Sequence, residues 1–191
     1  MYKAVKVKLT GYGRGYIQHN GRLADPLNLF TIEMKTFTGK KKKTIKDHEM
    51  IAKLEWRGGL YVDDDNKPII PADALQKCII EGARKSKSGK LAEIGIMVDD
   101  DALLKYSGPL SIEKRENDPM CQLRVGVVVS RARIYRTRPL FRDWSAEATF
   151  LVDDSVVDDQ VFMNAITAAG AQVGLGDWRP RHGRFTVEIV K

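Results

Sequence analysis

Alternating apolar and polar positions mark several stretches as half-buried strands. Over residues 2–10, Val5, Val7 and Leu9 fall on one face and Ala4, Lys6, Lys8 and Thr10 on the other, the period-two pattern of a strand with one face on a core. Trp144, Ala146, Ala148, Phe150 and Val152 alternate in the same way with Ser145, Glu147 and Thr149, and residues 184–190 turn Phe185, Val187 and Ile189 inward. Residues 123–135 read as one strong strand with Val125, Val127 and Val129 on one side, and residues 92–98 as a further strand. Two stretches carry the helical period instead. Leu75, Cys78, Ile79 and Gly82 follow Asp73 and Gln76, which are spaced as a capping box. Phe162, Ala165, Ile166 and Ala169 follow a second such spacing at Ser155 and Asp158, and the stripe stops at Gly170.

The remaining segments interrupt this pattern. Residues 11–26 begin Gly11-Tyr12-Gly13-Arg14-Gly15 and are too rich in glycine for regular structure. Residues 27–56 are weakly helical at their ends, with an exposed arm between them at Gly39, Lys40, Lys41, Lys42 and Lys43, whose like charges repel and stay solvated. Residues 58–70 form a short hairpin with an acidic tip. Its aspartates, like Asp99 to Asp101 and Asp153-Asp154, read as turn formers that bond their own backbone. Residues 99–120 carry little periodicity and read as an excursion. Without the arm, the hairpin and the excursion, the order is strand, helix, strand, strand, helix, strand. That order predicts an α+β, ferredoxin-like (RRM-like) antiparallel sheet with two helices on one face. The open face then collects Lys6, Lys8, Ser145, Thr149, Arg184 and Thr186.

Composition adds a partner class. The chain has 191 residues, of which 32 are Lys or Arg and 25 Asp or Glu, a net charge of +7 that favours an anionic partner. Its length fits one domain with insertions at about 11–70 and 99–121. No apolar run approaches the roughly 18 residues of a membrane span, so the expectation is a soluble, cytoplasmic protein that binds no membrane. Cys78 and Cys121 lack any C-x-x-C or His-rich context and read as core thiols, with no metal or cofactor.

The most informative stretch is Gly174-Leu175-Gly176-Asp177-Trp178-Arg179-Pro180-Arg181-His182-Gly183-Arg184-Phe185. Glycines let backbone N–H groups approach phosphates, and arginines offer forked charge and a flat surface for a base. The spacing is neither that of a phosphate loop nor of a dinucleotide fingerprint. The run resembles the glycine-rich loop near the C-terminus of RAMP-superfamily proteins, which form the RNA-holding backbone of CRISPR effector complexes. A second stretch, Ile70-Pro71-Ala72-Asp73-Ala74-Leu75-Gln76-Lys77 through Gly82-Ala83-Arg84, is similar to that family's Ile-Pro-Gly-Ser-Ser-Leu-Lys-Gly-x-x-Arg helix start; Ala72 and His182 stand where the family has glycine. The resemblance implies a single RAMP-like domain of ferredoxin-like fold that contacts nucleic acid, in repeated copies along the strand. The chain also resembles an uncharacterised group of tailed-phage proteins with the same Arg-Asp-Trp-Ser and Gly-Asp-Trp-Arg-Pro-Arg runs, which would place it in the bacterial host cytoplasm.

A second candidate surface is the acid-free run holding Arg131, Arg133, Arg136, Arg138 and Arg142, where Tyr135 and Phe141 interleave aromatics able to stack on bases. Arg131 and Arg133 are expected on one strand face. Lys41 and Lys42 of the arm and Arg14 of the first glycine-rich loop are further phosphate contacts. The nucleic-acid-binding set is thus Lys6, Lys8, Arg14, Lys41, Lys42, Arg131, Arg133, Arg136, Arg138, Gly174, Gly176, Trp178, Arg179, Arg181 and Arg184. The resemblance implies two catalytic candidates: His19, in the glycine-rich loop near Tyr12, Tyr16 and Arg14, because the family's RNA-processing endonucleases move protons with a histidine, and Asp25, by position, because backbone subunits of some CRISPR complexes cut RNA with an aspartate on a mobile loop. No nucleophile elbow, His-Glu-x-x-His or metal-ligand cluster accompanies them. The favoured reading is a non-catalytic protein that holds RNA or single-stranded DNA as a homo-oligomer. The alternatives are a metal-independent RNA endonuclease and a phage structural or interaction protein that acts on another protein, such as a CRISPR complex.

Overall fold

The computed structural model describes residues 1–190. In chain order its strands are β1 (Tyr2–Gly11), β2 (Tyr16–Ile17), β3 (Ile69–Ile70), β4 (Ile96–Met97), β5 (Ala102–Tyr106), β6 (Gln122–Val129), β7 (Ala132–Phe141), β8 (Trp144–Asp153) and β9 (Phe185–Ile189). The helices are α1 (Leu29–Thr38), α2 (Ile45–Gly58), α3 (Ala72–Arg84), α4 (Gly89–Gly95), α5 (Ile112–Glu116) and α6 (Asp159–Ala168), the last continued by a π-turn over Ala169–Val173. The described residues fold into two compact units, one of residues 1–16, 62–107 and 141–190, the other of residues 17–61 and 108–140.

The first unit is the ferredoxin-like element. Its sheet runs β3-β5-β8-β1-β9, with β4 also paired to β8, and its ladders are antiparallel. Taken as β1, α3, β4/β5, β8, α6, β9, the chain order is the split βαβ motif, with both long helices on the sheet's apolar face. Val7, Leu9, Ala146, Ala148, Phe150 and Val152 supply that face, at 4% exposure or less. Against it pack Leu75, Cys78 and Ile79 of α3 and Phe162, Ala165 and Ile166 of α6. Gly82 is required where the helices meet, because a Cβ there would strike the Ala165 carbonyl. Tyr16, Trp144 and Phe185 extend the core as an aromatic chain with centroids 5.3 Å and 6.1 Å apart.

Several sequence expectations change. The strand expected over residues 92–98 is helix α4 followed by the two-residue β4. The excursion supplies β5, so the second strand of the motif comes in two pieces, Ile96–Met97 opposite Val152 and Leu151 and Leu104–Tyr106 opposite Ala146 to Trp144. Neither capping box forms as spaced. Pro71 is the N-cap of α3 with no side-chain bond. Asp158 caps α6 through the Val161 N–H, while Ser155 bonds Asp153. The box that does form is Thr44 with Asp47 at the start of α2.

The second unit packs α1 against α2 and carries a three-stranded sheet in the order β2-β7-β6. Trp56 is 1% exposed and donates its indole N–H to the Cys121 carbonyl at 3.0 Å. Glu116 is buried and receives Lys53 at 2.9 Å and the Arg57 guanidinium. Residues 123–135 are not one strand. The ladder pairs Val129 with Ala132, and Ser130 and Arg131 form a two-residue turn with φ of 48° and 67°. Positive φ at both central positions is the geometry that matches the twist of a tight hairpin.

Candidate nucleic-acid interface

In the first unit, the glycine-rich loop folds onto itself before it offers anything to a ligand. Gly174 donates to the Ala169 carbonyl at 2.8 Å, Leu175 to the Gly183 carbonyl at 2.9 Å, and Gly183 to the Gly15 carbonyl at 2.8 Å. Gly183 has φ of 74°, and a Cβ there would overlap the Leu175 carbonyl, so only glycine fits. The expectation that Gly174 presents its N–H to a phosphate is therefore corrected: that donor closes the loop. What the closure does is bring the two glycine-rich segments side by side. Tyr12 donates its backbone N–H to the Arg184 carbonyl at 3.0 Å, so the backbone contacts bring together the segments that hold the exposed Arg14, Arg181 and Arg184.

His182 lies beneath those arginines, 7% exposed. Burial pushes its imidazole below the usual histidine range, a hydrogen bond to the Arg14 backbone opposes this, and the charges of Arg14 and Arg181 push it further down. Arg14, Arg181 and Arg184 are exposed and make no ion pair among the described residues. Arg184 gives its Nε–H to the Pro180 carbonyl at 2.9 Å, which holds one edge of its guanidinium.

Beside this corner is an open cleft of about 770 Å³ between the C-terminal end of α3 and the loop. Gly176, Trp178 and Arg179 line it from the loop, and Glu81, Arg84 and Lys85 from the helix. The two stretches that carry the family resemblance thus converge here. Arg179 is paired with Glu81 at 3.3 Å, both side chains more than a third exposed.

The open face of the sheet is more balanced than its sequence implied. Lys6 and Lys105 each bond Glu147 at 2.8 Å, and Lys8 stands opposite Glu147 on one side and Glu188 on the other. The two lysines hold the Glu147 carboxyl at about 2, well below its ordinary value. Lys6 is therefore partly neutralised, and the face alone is a weak anion site.

In the second unit, the candidate surface is the β6–β7 hairpin. Arg124, Gly126 and Val128 of β6 share one face with Tyr135 and Arg133 of β7 through the register Gly126↔Tyr135 and Val128↔Arg133. The Arg124 guanidinium lies 5.7 Å from the centre of the Tyr135 ring, and the Arg133 side chain crosses over Gly126. Val128 is 74% and Tyr135 63% exposed. Arg131 sits in the turn and not on a shared face with Arg133, a correction that follows from the positive φ. Arg136 is ion-paired with the buried Glu55, and Arg138 is 8% exposed with Nη1 donating to the Thr137 carbonyl at 3.5 Å. Arg138 is thus buried in the unit, and Arg136, though partly exposed, is engaged by Glu55. Sequence reasoning missed Arg124, whose signal was its place opposite the aromatic once the hairpin is known.

Lys41 and Lys42 are exposed in the connection between α1 and α2, while Lys40 bonds Asp47. His19 is exposed, and its carbonyl accepts the Tyr61 hydroxyl. Asp25 accepts the Leu27 N–H at 2.9 Å, the bond of a turn former. Among the described residues no His, Cys, Asp and Glu group is arranged to hold a metal, and no helix is long and apolar enough to cross a membrane.

No family model matches the chain, and no curated protein does. Among solved structures it is similar to a chain in the cryo-EM structure of the Type III-B Cmr-beta bound to cognate target RNA, with a TM-score of 0.59 and 12% sequence identity. The match covers 100% of this chain and 61% of that one, so this chain spans less than two thirds of its neighbour's length. At that identity the likeness is one of architecture: the chain has a ferredoxin-type α+β fold.

Proposed function

We propose that this protein holds single-stranded RNA through phosphate contacts and base stacking, in repeated copies along the strand. The observation that carries the reading is the corner formed by Arg14, Arg181 and Arg184. Three other arginines of this chain are ion-paired, Arg57 with Glu116, Arg136 with Glu55 and Arg179 with Glu81. Arg14, Arg181 and Arg184 are exposed and without an ion pair among the described residues, and the charges of Arg14 and Arg181 disfavour charging the buried His182 imidazole. Like charges held together are unfavourable, and a polyanion reverses the sign of that term.

The hairpin supports the single-stranded form of the partner. Tyr135 with Arg124 and Arg133 offers a flat, cationic platform, and stacking on it needs a base that is not in a duplex. The fold shared with a chain of an RNA-bound assembly favours RNA over DNA.

The test is a titration of labelled single-stranded RNA, single-stranded DNA and duplex RNA of one sequence. Tightest binding to single-stranded RNA, with most of it lost when Arg14, Arg181 and Arg184 are changed together to Ala, supports the reading. Equal binding to duplex, or no loss in the triple variant, contradicts it.

A further inference from the structure

We propose that the cleft at the end of α3 is a guanine-selective base pocket, through which the protein reads sequence at one position of its strand; the inference rests on the RNA-holding function above. The cleft of about 770 Å³ falls within the roughly 300–1,000 Å³ typical of small-ligand sites. Its lining has one aromatic, Trp178, two carboxylates, Glu81 and Asp177, and three cations, Arg84, Lys85 and Arg179.

Trp178 is held there at a conformational cost. Its φ is 55°, a region a bulky side chain rarely enters, and Asp177 Oδ1 accepts its backbone N–H at 2.9 Å. Trp56 and Trp144 are 1% and 3% exposed, whereas Trp178 is half-buried on the cleft wall, available to stack on a base. The Glu81 carboxylate is positioned by Arg179.

A carboxylate only accepts, so it selects a base edge that only donates. The Watson–Crick edge of guanine places N1–H beside the N2 amine, two parallel donors that match the two oxygens of one carboxylate. Adenine and cytosine set a ring-nitrogen acceptor beside their amine, and uracil flanks its N–H with two carbonyls, so each opposes an acceptor to Glu81. Arg84 and Lys85 stand at the same cleft for the nucleotide's phosphate.

Intrinsic tryptophan fluorescence titrated with GMP, AMP, CMP and UMP tests this, because Trp178 is the indole a nucleotide can reach. The expected result is saturable quenching by GMP, with the other three weaker by about fivefold or more, the low end of what a two-point contact discriminates between bases. Glu81→Gln should bring GMP to within a few-fold of AMP, and Trp178→Phe should remove the quench. Equal quenching by all four nucleotides, no quenching at millimolar nucleotide, or a GMP preference that survives Glu81→Gln overturns the proposal. RNA binding that depends on Arg14, Arg181 and Arg184 but shows no guanine preference sinks this inference alone. Selective GMP quenching by a protein that binds no RNA sinks the proposed function instead.

Discussion

Glu55 of α2 ties two consecutive residues of β7 together: one oxygen meets the Arg136 guanidinium, and the other accepts the Thr137 backbone N–H at 3.0 Å. The Glu55 side chain is 3% exposed and that of Arg136 36%, so the pair is anchored from inside. Arg136→Ala should leave a buried carboxylate short of its main partner and cost about 2 kcal/mol. That is below the range for breaking a fully buried pair, because the arginine reaches solvent. Urea denaturation of the variant against wild type measures it. The RNA affinity of the folded variant should fall less than that of Arg133→Ala.

Tyr135 carries the opposite expectation. At 63% exposure it contributes little to the core, so Tyr135→Ala should change stability by no more than about 0.5 kcal/mol. Single-stranded RNA binding should weaken by about 1–3 kcal/mol, the usual value of one base–aromatic stack. Thermal melts paired with a binding titration separate the two effects.

The contrast between these neighbours shows where sequence reading stops. The strands β1, β8 and β9, the helices α3 and α6, and the ferredoxin-like order were legible because one face of each is buried and the apolar period survives. The turn at Ser130 and Arg131 was not, since neither glycine nor asparagine marks it and the flanking valines continue the alternation. Missing that turn placed Arg131 and Arg133 on one face and gave Arg136 and Arg138 to the surface. Asp47, three residues after Thr44, made the capping box that forms, while the spacings at Asp73 and Ser155 did not, because spacing alone says nothing of where a helix begins. The sequence groups the loop arginines by their spacing, but the closeness of the Arg14 and Arg181 segments comes from Gly183 bonding Gly15, a tertiary contact with no local signature.

On the open face of the sheet, Glu147 restrains two lysines. Glu147→Gln should free Lys6 and Lys105, raise the affinity for single-stranded RNA and steepen its salt dependence by up to about 0.7 for each phosphate gained. An unchanged slope would show that the strand avoids this face.

His182 makes stability depend on pH in a fixed direction. Its folded-state pKa lies below the ordinary 6.5, so the unfolded chain binds more protons between the two values. Its contribution is complete above about 6.5 and is lost as pH falls through the folded-state pKa. Urea midpoints measured from pH 8 to pH 5 should decline over that window, and His182→Gln should flatten the decline. Bound RNA, by offsetting the charges of Arg14 and Arg181, should raise the histidine pKa, which an NMR titration with and without RNA would record.

The salt dependence of single-stranded RNA binding, compared between wild type and the Arg14, Arg181 and Arg184 triple alanine variant, tests the central claim most directly. Each phosphate contact contributes about 0.7 to the slope of log affinity against log salt for a single strand. The account predicts a steep wild-type slope that is shallower by about 2 in the variant. Slopes that coincide, with affinities that also coincide, would contradict it.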